Sequence, residues 1–115
     1  MTEQPILLII WHSRTGASKV MAEAAAAAAR NECTVQLVAA EEAEAADLIA
    51  ASGYIFVCPE NLASMTGAMK EFFDRCYYPL LGRIEGRPYA ATVAAGSDGA
   101  GAVRQIERIA TGWRL

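Results

Sequence analysis

Apolar residues along this chain fall in short unbroken runs, spaced apart by stretches of helical character. "PILLIIW" at 5–11 and "GYIFVCP" at 53–59 are continuous apolar runs, the pattern of a parallel strand buried on both faces. "CTVQLVA" at 33–39 and "RPYAATVAAG" at 87–96 read as two further strands, the last built of small residues. Four helices are predicted between and after them, at 17–30, 41–50, 66–78 and 101–113. The first is an alanine-rich helix suited to close packing, and the third places Met69, Phe72, Phe73 and Cys76 at helical spacing. Pro59 is expected to end the third strand, because proline donates no ladder hydrogen bond. Strict alternation of strand and helix predicts right-handed β-α-β units. The fold class expected is α/β, a three-layer α-β-α sandwich with a doubly wound parallel sheet.

That topology directs attention to one edge, since open α/β sheets take their ligands beyond the carboxyl ends of the strands. Three loops belong there: "HSRTGAS" after the first strand, "PENLASMTG" after the third and "GSDGAG" after the fourth. All are rich in glycine and small polar residues. Ser13, Thr15 and Ser18 surround Gly16 where a strand hands over to a helix. One helix cap uses a single hydroxyl. A phosphate at a helix N-terminus uses several donors, a favourable dipole and a glycine that lets the backbone approach.

Composition narrows the classes. A chain of 115 residues is read as one domain spanning 1–115. The net charge of −3 and the absence of a basic stripe argue against a nucleic-acid or anionic-membrane partner. No apolar run approaches the roughly 18–20 residues of a membrane span, and "MTEQP" lacks the layout of a secretory leader. Three cysteines, Cys33, Cys58 and Cys76, have no metal-type spacing, so no metal is expected and the thiols read as reduced, in a cytoplasmic protein. His12, the one histidine, reads as a strand-end residue packed beside the first loop rather than a catalyst.

Several chemistries are excluded by missing letters. No G-x-x-x-x-G-K-[ST] loop occurs. "GSDGAG" has glycines in the wrong spacing for a dinucleotide fingerprint and follows the last strand. A receiver domain needs acidic residues where the chain has His12, Ser13, Cys58 and Pro59, and a C-x5-R phosphatase needs arginine where it has Ser64.

"SRTGAS" resembles the [ST]-x-T-G-x-[ST] phosphate loop of flavodoxin-like FMN proteins. "CPENLASMTGAMKEFFDR" at 58–75 is similar to the matching segment of flavodoxin-like NAD(P)H-dependent oxidoreductases, and "GSDGAGAVRQIERIATGWRL" looks like their glycine-rich loop and following helix. The resemblance covers essentially the whole chain. It implies strand order 2-1-3-4, with the family's fifth strand missing.

The resemblance also implies roles. Ser13, Thr15, Gly16, Ala17 and Ser18 would bind the 5′-phosphate of FMN, with Arg14 at a variable position facing solvent. Pro59, Glu60, Asn61, Leu62, Ala63 and Ser64 would line one side of the isoalloxazine; Gly96, Ser97, Asp98 and Gly99 would close the other. Lys70, Asp74 and Arg75 match family letters but are equally explained as a helix-surface ion pair. No protein residue is assigned as catalytic, since the flavin carries the redox chemistry.

Neither isoalloxazine loop contains Trp, Tyr or Phe, whereas electron carriers of this fold commonly sandwich the flavin between aromatic rings. An open flavin face admits a nicotinamide or quinone. The expected function is therefore an NAD(P)H-dependent FMN oxidoreductase, with NADH or NADPH as donor and a quinone or other small molecule as acceptor. The alternatives are a flavodoxin-type electron carrier and an assembly module with weak or no flavin binding. The fourth strand would form an edge of small apolar residues, for which a homo-oligomer is the expected cover. Tyr77, Tyr78, Pro79, Leu80 and Leu81 read either as core or as an interface patch.

Overall fold

The computed structural model describes residues 4–115; residues 1–3, part of the stretch read for a leader, lie outside the described residues. Strands β1 (Ile6–Trp11), β2 (Thr34–Ala39), β3 (Gly53–Asn61) and β5 (Tyr89–Ala94) form a parallel sheet in the order β2-β1-β3-β5. A two-residue strand, β4 (Ser64–Met65), turns back antiparallel on the end of β3. Helices α1 (Ala17–Ala29), α2 (Ala45–Ala50), α3 (Gly67–Leu80) and α4 (Ala100–Gly112) supply the crossovers. The doubly wound three-layer sandwich is the architecture the alternation predicts.

The two faces of the sheet are covered unequally. On one side α1 packs alone, its Ala22 and Ala26 buried against Ile9 and Val57. Alanine at these positions leaves no bulk between helix and sheet, which is what the alanine-rich stretch contributes. On the other side α2, α3 and α4 enclose a larger core around Phe56, Phe72, Phe73 and Trp113. There Phe73 lies 5.0 Å from Phe56 and 5.2 Å from Trp113, both edge-on, the arrangement aromatic quadrupoles favour.

Beyond shifts of one or two residues at other element ends, three features differ from the sequence expectation, each for a physical reason. Helix α2 starts at Ala45 rather than 41, because Glu44 and Asp47 form a reciprocal capping box that fixes its first turn. Strand β3 does not end at Pro59; it runs on to Asn61, with Pro59 opposite Ala94 of β5. Pro59 shares its orientation with Val57, whose carbonyl faces the β1 side and accepts from the His12 amide. Pairing between β1 and β3 ends at Trp11 and Val57, so the missing proline N–H lies beyond the ladder on that side. Third, β3 and β4 form a hairpin whose tip, Leu62 and Ala63, has φ of 52° and 65°. Left-handed backbone at two consecutive residues is the geometry of a primed hairpin turn. Neither residue is the glycine or asparagine that normally signals it.

At the opposite end of the sheet Arg87 closes the fold. Its Nη1 donates to the carbonyls of Leu48, Ile49 and Ala51 at 3.0, 2.7 and 2.7 Å. These carbonyls lie at the C-terminus of α2, where a cation also complements the helix dipole; Leu48 accepts from the Ala51 amide at 3.3 Å as well. The Tyr54 hydroxyl donates to the same Leu48 carbonyl at 2.6 Å. Arg75 does comparable work on α3, donating to the carbonyls of Ala40 and Ala43 at 3.0 and 2.7 Å. It ties α3 to the β2–α2 turn and also makes a surface ion pair with Glu71 at 3.3 Å, while Lys70 pairs with Asp74 at 2.7 Å, as the helix-surface reading of these residues expects.

Candidate functional site

Helix α1 begins without a side-chain cap and without an acid in its first turn; the preceding Gly16 has φ of 108°. The Ser13 Oγ does accept a hydrogen bond, but from the Gly16 amide at 2.9 Å, which folds the loop rather than capping the helix. The first-turn amides of α1 therefore have no intrahelical acceptor and no side chain in place of one. Beside them Ser18 is 1% exposed, and its Oγ has no hydrogen-bond partner. A buried hydroxyl left unpaired costs about 1–3 kcal/mol, an uncommon liability that a bound acceptor relieves.

These groups open onto a cavity of about 260 Å³ walled by three loops. The β1–α1 loop contributes Ser13, Arg14, Thr15, Ala17 and Ser18. The end of β3 contributes Pro59, Glu60 and Asn61, and the end of β5 contributes Ala94, Ala95 and Gly96. The carboxyl edge of the sheet thus brings together the three loops singled out in the sequence.

Within each loop the residues divide. Arg14 is exposed, as expected, yet it also lines the cavity. Glu60 lines it too, but its Oε2 accepts from the Ala102 amide at 3.0 Å, which caps the first turn of α4. Leu62 and Ser64 face a neighbouring cleft, and Ala63 packs its carbonyl on Gly101 of α4. Of the last loop only Gly96 reaches the cavity wall. Asp98 is exposed and accepts from the Ala100 amide at 3.0 Å, which folds the turn before α4. Gly99, with φ of 70°, is a buried turn residue packed on Val93, and Ser97 is exposed without lining the cavity. Ala94 and Ala95 belong to the wall and were not expected there; small apolar side chains carry no chemical signature.

The hairpin is held firmly. Gln105 of α4 accepts at Oε1 from the Met65 amide at 2.8 Å and from the Ser64 hydroxyl at 3.1 Å. Under it, His12 Nδ1 and the buried Thr66 Oγ1 share a hydrogen bond at 2.8 Å, which joins the first loop to the start of α3. Thr66 spends its side chain on His12 and does not cap α3.

Cys58, in the strand beneath the site, is fully buried. Burial pushes its thiol up from 9.0 to about 11, a hydrogen bond with the Thr66 backbone opposing part of that shift. It is a packed thiol, not a nucleophile. Because the folded value lies above the unfolded one, its contribution to stability is complete below pH 9.0 and is lost as pH rises toward 11. Urea denaturation across this window should show stability falling by about 2–3 kcal/mol from this group. Cys58→Ala should flatten that portion of the profile. Buried Tyr54 and Cys76, raised in the same direction by desolvation, leave a residual slope. Parallel profiles for variant and parent would show that Cys58 is not the titrating group.

Among the described residues no cluster of three metal-binding side chains occurs, and no helix is long and apolar enough to cross a membrane.

The comparisons with known proteins agree with this geometry. The family described as NADPH-dependent FMN reductase matches residues 27–114. That stretch begins beyond the β1–α1 loop, so the reading of the loop rests on its structure. A flavodoxin from Aquifex aeolicus (strain VF5) is 37% identical over 97 residues, covering 83% of this chain. The alignment covers 52% of the relative, so the chain spans about half the length of that curated protein. Among solved structures, a flavodoxin from the domain Archaea superposes with a TM-score of 0.83 at 20% identity, over 96% of this chain and 76% of that one. The flavodoxin, WrbA-like protein from Agrobacterium tumefaciens gives 0.78 at 20% identity, over 96% and 74%. At such identities the structural likeness speaks for the fold.

Proposed function

The chain belongs to the NADPH-dependent FMN reductase family, and from that premise we propose that it binds FMN at the carboxyl edge of its sheet and passes electrons from NADPH or NADH to a quinone or another small acceptor. The observation that carries the reading is the buried, unpartnered Ser18 hydroxyl beside the uncapped start of α1. An FMN phosphate supplies the acceptor that this hydroxyl and the first-turn amides lack. Ser13 and Thr15 face the same cavity, with Pro59 to Asn61 and Ala94 to Gly96 as its side walls.

When bound, the flavin supplies hydride acceptance and electron release. The chain's own part is to hold the phosphate, orient the ring by backbone and leave one face reachable. No aromatic residue lines the cavity or occurs in the hairpin tip 61–64 or the loop 95–98, which favours direct access by a nicotinamide or quinone. A flavodoxin-type carrier is the second reading, favoured by the 37% identity to the Aquifex protein named flavodoxin. The outer edge of β5 has no strand partner among the described residues, and a second copy is the cover we propose for it.

The test is direct. Purified protein is expected to be yellow, with flavin absorbance near ~450 nm, and to oxidise NADPH or NADH in the presence of a quinone. A yellow protein without turnover supports the carrier. Colourless protein that takes up no added FMN would leave an assembly module and defeat the flavin reading.

A further inference from the structure

A separate cleft of about 360 Å³ is lined by Ser64 and Met65 of the hairpin, Lys70 of α3, and Gln105, Arg108 and Ile109 of α4. None of these residues lines the first cavity. Positions 105, 108 and 109 share one face of α4 by helical spacing. The volume falls within the roughly 300–1,000 Å³ usual for a small-molecule site. Its chemistry is one-sided, since two cations line it and no carboxylate does. Arg108 is exposed and forms no ion pair among the described residues. Lys70 pairs with Asp74 one turn along α3, where the side chains are 53% and 63% exposed, a pairing that an incoming anion displaces at little cost. Gln105 adds a neutral donor. Its Oε1 is committed to the Met65 amide and the Ser64 hydroxyl, and no described residue accepts from its Nε2. The remaining lining is apolar, with Met65 buried and Ile109 half-buried.

We propose that this cleft is a second ligand site, for a small organic carboxylate with an aryl or branched aliphatic body, and that its occupancy tightens the flavin site through the hairpin. A carboxylate matches the donor set. The guanidinium meets its two oxygens with a planar fork, lysine meets them as a point charge, and the Gln105 amide N–H completes the set. Met65 and Ile109 offer the apolar body a surface that a hydrated inorganic anion cannot use. The coupling runs through Gln105, which holds the hairpin at Oε1 and holds the ligand at Nε2. An amide that donates at one end accepts more strongly at the other, because chained hydrogen bonds polarise one another. The hairpin in turn carries Asn61, a wall residue of the first cavity. The coupling rests on the flavin reading; the carboxylate site does not.

The probe is benzoate, titrated into the full chain at low ionic strength and followed by the NMR shifts of the Gln105 side-chain amide and the Met65 backbone amide. Both signals should move along one saturable curve. Neutral benzyl alcohol and inorganic phosphate should each bind at least about 10-fold more weakly. Arg108→Gln, at an exposed helix position, should weaken benzoate about 10-fold. Gln105→Glu keeps an acceptor for the hairpin but sets a carboxylate where Nε2 donated, so benzoate binding should vanish while the melting temperature holds. Benzyl alcohol binding as tightly as benzoate would overturn the assignment by showing an apolar cleft only. Phosphate binding as tightly would overturn it by showing a general anion patch, and so would benzoate affinity unchanged in Arg108→Gln. Saturating benzoate should lower the FMN Kd about 5-fold, and FMN should lower the benzoate Kd by the same factor. An FMN Kd indifferent to benzoate would refute the coupling. The benzoate titration reads the cleft without flavin, so failure of the chain to take up FMN would count against the flavin reading alone.

Discussion

Replacing Gly101 by alanine should cost the protein both stability and flavin. Gly101 sits in the first turn of α4, and a Cβ built there would overlap the Ala63 carbonyl oxygen, with the Ala63 carbonyl carbon at 2.9 Å and Glu60 Oε2 at 3.0 Å. In an exposed helix the exchange would stabilise by about 1 kcal/mol. Here the neighbour is backbone, and it is pinned on both sides. Glu60 is bonded to the Ala102 amide, and Met65 and Ser64 are bonded to Gln105, so hairpin and helix cannot separate without losing these bonds. Ala63 is already in left-handed backbone at φ of 65°, which costs an alanine about 1–2 kcal/mol and leaves it little freedom to shift. Overpacking of this kind costs typically about 1–3 kcal/mol, and loss of the hairpin bonds adds to it. The expected outcome is a net loss of about 2–4 kcal/mol in urea denaturation. FMN affinity, read by flavin fluorescence quenching, should fall at least about tenfold because the β3 wall moves. A variant as stable as the parent, with unchanged affinity, would show that the hairpin is free to move and is not a fixed wall of the site.

The alternation of strands and helices was legible because each depends on a property of local sequence. Buried parallel strands leave continuous apolar runs, as at 5–11 and 53–59, and alanine-rich stretches at 17–30 leave few alternatives to helix. The convergence of three loops on one edge follows from parallel topology alone. The hairpin was illegible for the opposite reason. Its turn residues, Leu62 and Ala63, run against the local preference for glycine and asparagine. What holds them is tertiary: Gln105, about forty residues further along the chain, and the absent Cβ at Gly101. The same holds for Glu60, which is a loop carboxylate by sequence and a helix cap in space. Ala94 and Ala95 form part of the wall through position only. Ser18 was singled out from the sequence as one hydroxyl of three; that it alone is buried without a partner emerges only once α1 is packed on the sheet.

Ser18→Ala should move apo stability and flavin affinity in opposite directions. In the flavin-free chain the substitution removes a buried hydroxyl that has no partner and leaves a methyl group in its place. The desolvation penalty it relieves is about 1–3 kcal/mol, so the apo variant should melt about 4–8 °C higher for each kcal/mol gained. In the loaded protein the same substitution removes a donor to a charged phosphate, a bond worth about 1.5–3 kcal/mol, so the FMN Kd should rise about 10- to 100-fold. Ligand stabilisation grows with the logarithm of concentration over Kd, so added FMN raises the parent's melting temperature more than the variant's. The two melting temperatures should therefore converge as FMN is titrated, and cross at concentrations well above the parent Kd. Ordinary packing defects do not produce this behaviour, since a defect lowers apo stability and ligand affinity together. A variant that melts below the parent without FMN would mean the hydroxyl is satisfied in the free protein. One that binds FMN within twofold of the parent would mean the phosphate is held elsewhere, by the α1 amides alone or in another part of the edge.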